Sequence, residues 1–198
     1  MIGSGIFFKY HPDETFRGKR VLNIGCGFAK FSAKNVTNMD GYDICSPDVV
    51  WDLNKTPLPF EDNTFDLILA NHILEHVDKW WECFVDMGRI LKNGGVIEIW
   101  LPGSGNDSQW GYRDHVQMIN HYSFFGVQNL SRAGGNAWAK TEQAGGAGNL
   151  YLMGQMRNMM DKRWIKWLPR FMKDWACEHL RNVIYEEGYF FIKREQGK

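Results

Sequence analysis

The sequence predicts an α/β protein whose strands form a doubly wound, mainly parallel sheet. Three observations carry that expectation. The run V-L-N-I-G-C-G at 21–27 is an apolar strand that ends in a pair of glycines, the form of a buried parallel strand running into a tight turn. Short apolar segments recur as far as Pro102. Between two of them, from Ile73 to Leu91, apolar residues return at intervals of three and four, the helical period.

In chain order, 1–19 is a lead-in whose Ile6, Phe7 and Phe8 suit packing on a sheet, with a turn at His11, Pro12 and Asp13. Gly25 and Gly27 let backbone amides approach a ligand at the carboxyl end of the first strand, where open α/β sheets bind ligands. Phe28 to Lys34 leaves room for a helix of a turn or two at most. Val36 begins a second extended stretch that carries acids at Asp40 and Asp43, and Asp48 to Leu53 is a third short run closed by Asp52. Phe65 to Ala70 reads as a fourth strand, Ile73 to Leu91 as a helix ended by Asn93, Gly94 and Gly95, and Val96 to Leu101 as a fifth strand. Beyond Pro102 the pattern predicts a polar loop at 104–114, a short helix at 122–130 and a glycine-rich loop at 133–149. Helical spacing follows from Tyr151 to Arg181, broken or kinked at Pro169. Two extended pieces flank Glu186, Glu187 and Gly188, the second being Tyr189 to Ile192.

With 198 residues, the chain is expected to form a single domain. Lys plus Arg and Asp plus Glu both total 23, so no overall field favours nucleic acid or an anionic membrane. The four cysteines lack C-x-x-C spacing, and no basic segment precedes a long apolar one. These features predict a reduced, cytoplasmic protein without signal peptide or transmembrane segment.

Six segments taken together, V-L-N-I-G-C-G at 21–27, D-G-Y-D-I at 40–44, D-V-V-W-D-L at 48–53, L-P-F-E-D-N-T-F-D at 58–66, A-N-H-I-L-E-H-V at 70–77 and R-I-L-K-N-G-G at 89–95, resemble the class I S-adenosylmethionine-dependent methyltransferases. The match is to the small group with an L-E-H segment after the fourth strand. The resemblance implies a Rossmann-like sheet with an antiparallel C-terminal strand and a helical cap. It divides the chain into a lead-in (1–19), a cofactor-binding core (20–102), a variable substrate or cap region (103–181) and final strands (182–198). S-adenosylmethionine is the implied cofactor. Its methionine part would meet Gly25, Cys26 and Gly27, with Asn23 beside them. An acceptor-only carboxylate would take the ribose hydroxyls. The M-x-G-x-D pattern favours Asp43 for that task, and strand alternation leaves Asp40 open. Asp52 and Leu53 would sit near the adenine, and Asn71 and His72 near the sulfonium. Two departures stand out: Ala29 occupies the third glycine position, and the first helix is short.

Methyl transfer is an in-line displacement in which alignment supplies much of the acceleration, and a base is needed only for an acceptor that carries a proton. His76, His115 and His121 are the candidate catalytic residues; His76 also reads as a residue that packs the helix, and the other two as surface loop. Read alone, H-I-L-E-H at 72–76 is the H-x-x-E-H of an inverted zinc protease site, but no third ligand is evident, and no metal is expected. A dinucleotide oxidoreductase would want glycine or alanine where Lys30 stands. A non-catalytic S-adenosylmethionine-binding or partner module is the alternative reading. The aromatic and basic stretch 153–181 reads first as core, and with the glycine-rich loop as a substrate lid or a homodimer face. The acceptor expected from the resemblance is a small molecule or a glycan.

Overall fold

The computed structural model describes residues 16–103, 105–124, 149–159, 167–179 and 184–195. The expected packing of Ile6 to Phe8, the loop at 133–148 and the residues 125–130, 160–166 and 180–183 lie outside the described residues.

Among the described residues seven strands form one sheet, in the order β3-β2-β1-β4-β5-β7-β6. They are β1 (Val21–Ile24), β2 (Val36–Asp40), β3 (Val49–Val50), β4 (Phe65–Asn71), β5 (Leu91–Pro102), β6 (Leu150–Met159) and β7 (Ile184–Lys193). The first five are parallel, and β7 runs antiparallel to both β5 and β6. Among the described residues the α-helices are α1 (Trp80–Ile90), α2 (Asp107–Gly111) and α3 (Arg170–His179). None is long and apolar enough to cross a membrane.

Strand alternation divides the core. Leu22, Ile24, Ile68 and Ala70 face one side, where Phe84 and Met87 of α1 cover them. Val21, Leu67 and Leu69 face the other side, against Phe16, Phe31 and Trp100. Arg89 ties α1 to the loop before β4, donating to Asp86, to Asp62 at 2.8 Å and to the carbonyls of Phe60 and Leu58 at 2.8 and 3.0 Å.

Several elements depart from expectation, each for a local reason. Among the described residues Phe28 to Lys34 forms no helix at all. Instead the Asn38 side chain of β2 holds this segment, accepting from the Phe31 N–H and donating to the Phe31 carbonyl, both at 3.0 Å. The helix expected from Ile73 begins only at Trp80, because the Glu75 carbonyl accepts the Val116 and Gln117 amides at 2.9 and 3.0 Å and so has no role in a continuing helix. That helix also ends early, and the chain passes from Ile90 straight into β5, with Asn93 to Gly95 inside the strand.

Tyr151 to Met159, expected to be helical, belongs to the strand β6, since the edge of β7 offers it a ladder of backbone partners. Pro169 stands just before α3, its carbonyl accepting the Met172 and Lys173 amides at 3.0 and 3.1 Å, and the residues 160–166 ahead of it lie outside the described residues. Gly188 does not divide the final segment. It lies inside β7 opposite Trp100, where a Cβ would come 2.8 Å from the indole, so glycine is there to admit the ring.

Candidate active site

The site is assembled from backbone turns at the carboxyl ends of β1, β2 and β4. Gly25 and Gly27 both take left-handed backbone, at φ 66° and 49°. A Cβ on Gly25 would lie 2.3 Å from the Ile73 side chain, so this glycine is required by space as well as by φ. The Gly25 and Cys26 amides donate to the Met39 carbonyl at 2.8 and 3.1 Å, which presses the turn against the end of β2.

Asp40 ends β2 and is buried. One of its oxygens accepts the Gly27 N–H at 2.8 Å and the other the Tyr42 N–H at 3.0 Å. Asp43 lies one turn further on, in a short 3-10 segment (Asp43–Cys45), and is exposed. Of the two acids, the structure therefore brings Asp40 to the glycine turn. Phe28, Tyr42 and Ile44 surround this region as large, exposed apolar side chains. Sequence reasoning passed over them; the signal was three apolar residues in loops that flank the glycine turn and the acid.

The other expected cofactor residues separate into two sets. Leu53 is buried, and Asp52 is exposed, with its carboxylate accepting the Asn54 N–H at 3.0 Å. Asn71 is half-buried at the end of β4. Asn23, by contrast, is turned into the fold, where its amide donates to Asn38 at 3.1 Å and contacts the Ala29 carbonyl at 3.4 Å. The Cys26 thiol is pushed up to about 12 by burial and then by the Asp40 carboxylate, so it stays protonated and unreactive.

His72 is a clamp. Its backbone is left-handed, φ 50°, and its ring stands 3.1 Å from Glu186 of β7 and 3.4 Å from the fully buried Glu75. Burial works against its charge, but the hydrogen bond to Glu186 and the nearby carboxylate of Glu75 prevail and raise its pKa to about 9. It is an imidazolium at neutral pH that donates to Glu186. Glu186 is a further residue that sequence reasoning missed, because 114 positions separate the partners.

His76 and His115 come together, their rings edge to face with centroids 4.7 Å apart. The Nδ1 of His76 lies 2.9 Å from the Asp114 carbonyl and that of His115 3.0 Å from the Gln109 carbonyl. His121 stands in another 3-10 segment (His121–Phe124), its ring tilted 40° to that of Tyr122 with centroids 3.8 Å apart. Among the described residues it does not join the cluster of Glu75, His76 and His115.

Comparison with known proteins agrees with this architecture. A family model described as a methyltransferase domain matches residues 7–137. An uncharacterised protein of Methanocaldococcus jannaschii is 36% identical over 100 residues, covering 42% of this chain and 42% of that protein. An uncharacterised methyltransferase of Mycobacterium tuberculosis is 30% identical over 69 residues, 33% of this chain and 24% of that one. The chain thus spans less than half the length of these curated relatives. A solved structure of an S-adenosylmethionine-dependent methyltransferase from Archaeoglobus fulgidus superposes with a TM-score of 0.61 at 14% identity, covering 96% of this chain and 92% of that one. The family match spans well over half of the chain and covers β1 to β5 and the glycine turn just described, so the chain belongs to the methyltransferase-domain family and has the class I S-adenosylmethionine-dependent methyltransferase fold.

Proposed function

We propose that the protein binds S-adenosylmethionine across the carboxyl ends of β1, β2 and β4 and transfers its methyl group to a small-molecule or glycan acceptor. The observation that carries this reading is the Asp40 carboxylate held against the glycine turn, a buried acceptor group at the place where a ribose diol would be recognised. The residues fit such a cofactor. The backbone at Gly25 is free of a Cβ, and Phe28, Tyr42 and Ile44 offer apolar surface suited to a purine. Asp40, rather than Asp43, is the acid assigned to the ribose.

The cofactor supplies an electrophilic methyl group on a sulfonium. The chain supplies alignment and charge. At the end of β4 the His72 ring lies between the carboxyl groups of Glu75 and Glu186, oxygen acceptors suited to a sulfonium nearby. His76 and His115 sit one short turn beyond, and with no metal ion bound there they are the residues assigned to an acceptor's ionisable group. Titration of the full chain with S-adenosylmethionine and S-adenosylhomocysteine, followed by assay of S-adenosylhomocysteine release with phenols, sugars and glycans, tests the reading. Micromolar binding and acceptor-dependent release support it; absence of binding to either compound overturns it.

A further inference from the structure

We propose that Glu75, His76 and His115 form a binding site for a first-row divalent transition-metal ion, zinc in particular. One donor atom from each of the three lies within 4.8 Å of the other two. Donors on one tetrahedral zinc are about 3.3 Å apart when bonds are about 2.0–2.1 Å, so modest side-chain rotation closes the set on an ion.

Three features show more than chance proximity. The first is Glu75. It is fully buried, and neither carboxylate oxygen has a hydrogen-bond partner; its nearest cation is His72, 3.4 Å away. A buried carboxylate without a hydrogen bond is costly, and a bound cation removes that cost.

The second is the tautomer of the two histidines. A carbonyl oxygen can only accept, so the bonds to Asp114 and Gln109 place the proton of each neutral ring on Nδ1. Each Nε2 then keeps its lone pair for a metal, the arrangement of outer-sphere support found behind histidine ligands. The exposed Asp114 carboxylate, 3.5 Å from His76 Nδ1, adds to that support.

The third is the tether. The Glu75 carbonyl receives the amides of Val116 and Gln117, and the Gln117 carbonyl receives the Gln109 side chain at 3.0 Å. The segment with His115 is thereby fixed to the turn with Glu75 and His76. The pattern H-x-x-E-H therefore gains the third ligand that the sequence did not disclose, although with a different membership: His72 is occupied by Glu186 and stands outside the set.

Two imidazoles and one carboxylate suit zinc and its first-row neighbours rather than magnesium or calcium. Three protein ligands leave a coordination position open, as in reactive rather than purely structural zinc sites. The site lies at the same edge of the sheet as the glycine turn, one short turn past β4. Its existence does not depend on the methyl-transfer reading.

The test uses the full chain, stripped with EDTA and titrated with Zn2+, and in parallel with Co2+ to read the visible spectrum of a site containing nitrogen ligands. One ion per chain with micromolar or tighter affinity is expected. His115→Ala and Glu75→Gln should each weaken it by at least about tenfold, while His121→Ala leaves it unchanged. Thermal unfolding of each variant checks that it folds, and the titration of the unsubstituted chain stands whatever the variants do. Zinc affinity no tighter than millimolar, or unaltered in a folded His115→Ala protein, overturns the proposal. A parallel titration with S-adenosylhomocysteine keeps the two readings apart, since zinc binding without it would contradict only the methyl-transfer assignment.

Discussion

The carboxylate of Asp40 and the backbone amide of Gly27 are joined by a 2.8 Å hydrogen bond, which makes the acid at the end of β2 and the turn at the end of β1 a single unit. The Met39 carbonyl reinforces it by receiving the amides of Gly25 and Cys26. A ligand that meets the turn therefore meets the acid.

Gly25→Ala should unfold the turn rather than merely loosen it. The new Cβ would lie 2.3 Å from Ile73 at a positive φ, combining backbone strain with overpacking. A loss of about 2 kcal/mol or more is expected. Urea unfolding measures it, and a stability within about 0.5 kcal/mol of the parent would contradict the geometry.

Gly188→Val tests the other close approach. A side chain there would press on the Trp100 ring from 2.8 Å, within the β5–β7 ladder. The expected cost is about 1–3 kcal/mol, again read from urea unfolding, with Gly154→Val as a control because open space surrounds that glycine.

Replacing His72 by Gln removes the cation that lies between Glu75 and Glu186. Both carboxylates are buried, so the variant should be less stable by about 2–3 kcal/mol. Unchanged unfolding would show that the imidazolium is not the clamp described.

Asp66 gives a pH signature. Partial burial raises its pKa, but the Arg20 N–H at 2.7 Å and the Lys92 ammonium at 2.9 Å outweigh this, and the net shift is downward. A carboxylate with a depressed folded-state pKa contributes stability above its unfolded pKa of about 3.9, and loses it as pH falls through the folded value. Asp66→Asn should thus be less stable than the parent at pH 7 by about 1 kcal/mol or less, because the pair is partly exposed, and the difference should vanish in acid. Urea midpoints of both proteins between neutral pH and pH 3 check this; a gap that ignores pH would contradict it.

Much of the sheet could be read from the chain because its signals are local. The apolar runs before Gly25 and from Leu67 to Ala70 and the helical period around Phe84 and Met87 are each the mark of one buried element. What escaped was set by distant partners. Leu150–Met159 has apolar residues at helical intervals yet forms a strand, because β7 lies alongside. Which of Asp40 and Asp43 lies against the glycine turn depended on where β2 ends, a boundary that no spacing rule marks, whereas the bond from the Gly27 amide to Asp40 marks it directly. Glu186 beside His72 and His115 beside His76 were beyond reach for the same reason, since nothing within one window of sequence pairs them.

The most direct test is equilibrium binding of S-adenosylhomocysteine to the parent chain, Asp40→Asn and Asp43→Ala. Asn at position 40 retains one carbonyl acceptor for the turn but loses the charge. With Asp40 as the ribose acid, Asp40→Asn should weaken binding by about 10- to 100-fold, the worth of a hydrogen bond or two to a charged group, while Asp43→Ala stays within about twofold of the parent. The reverse ranking, or a parent chain that does not bind, would contradict the account.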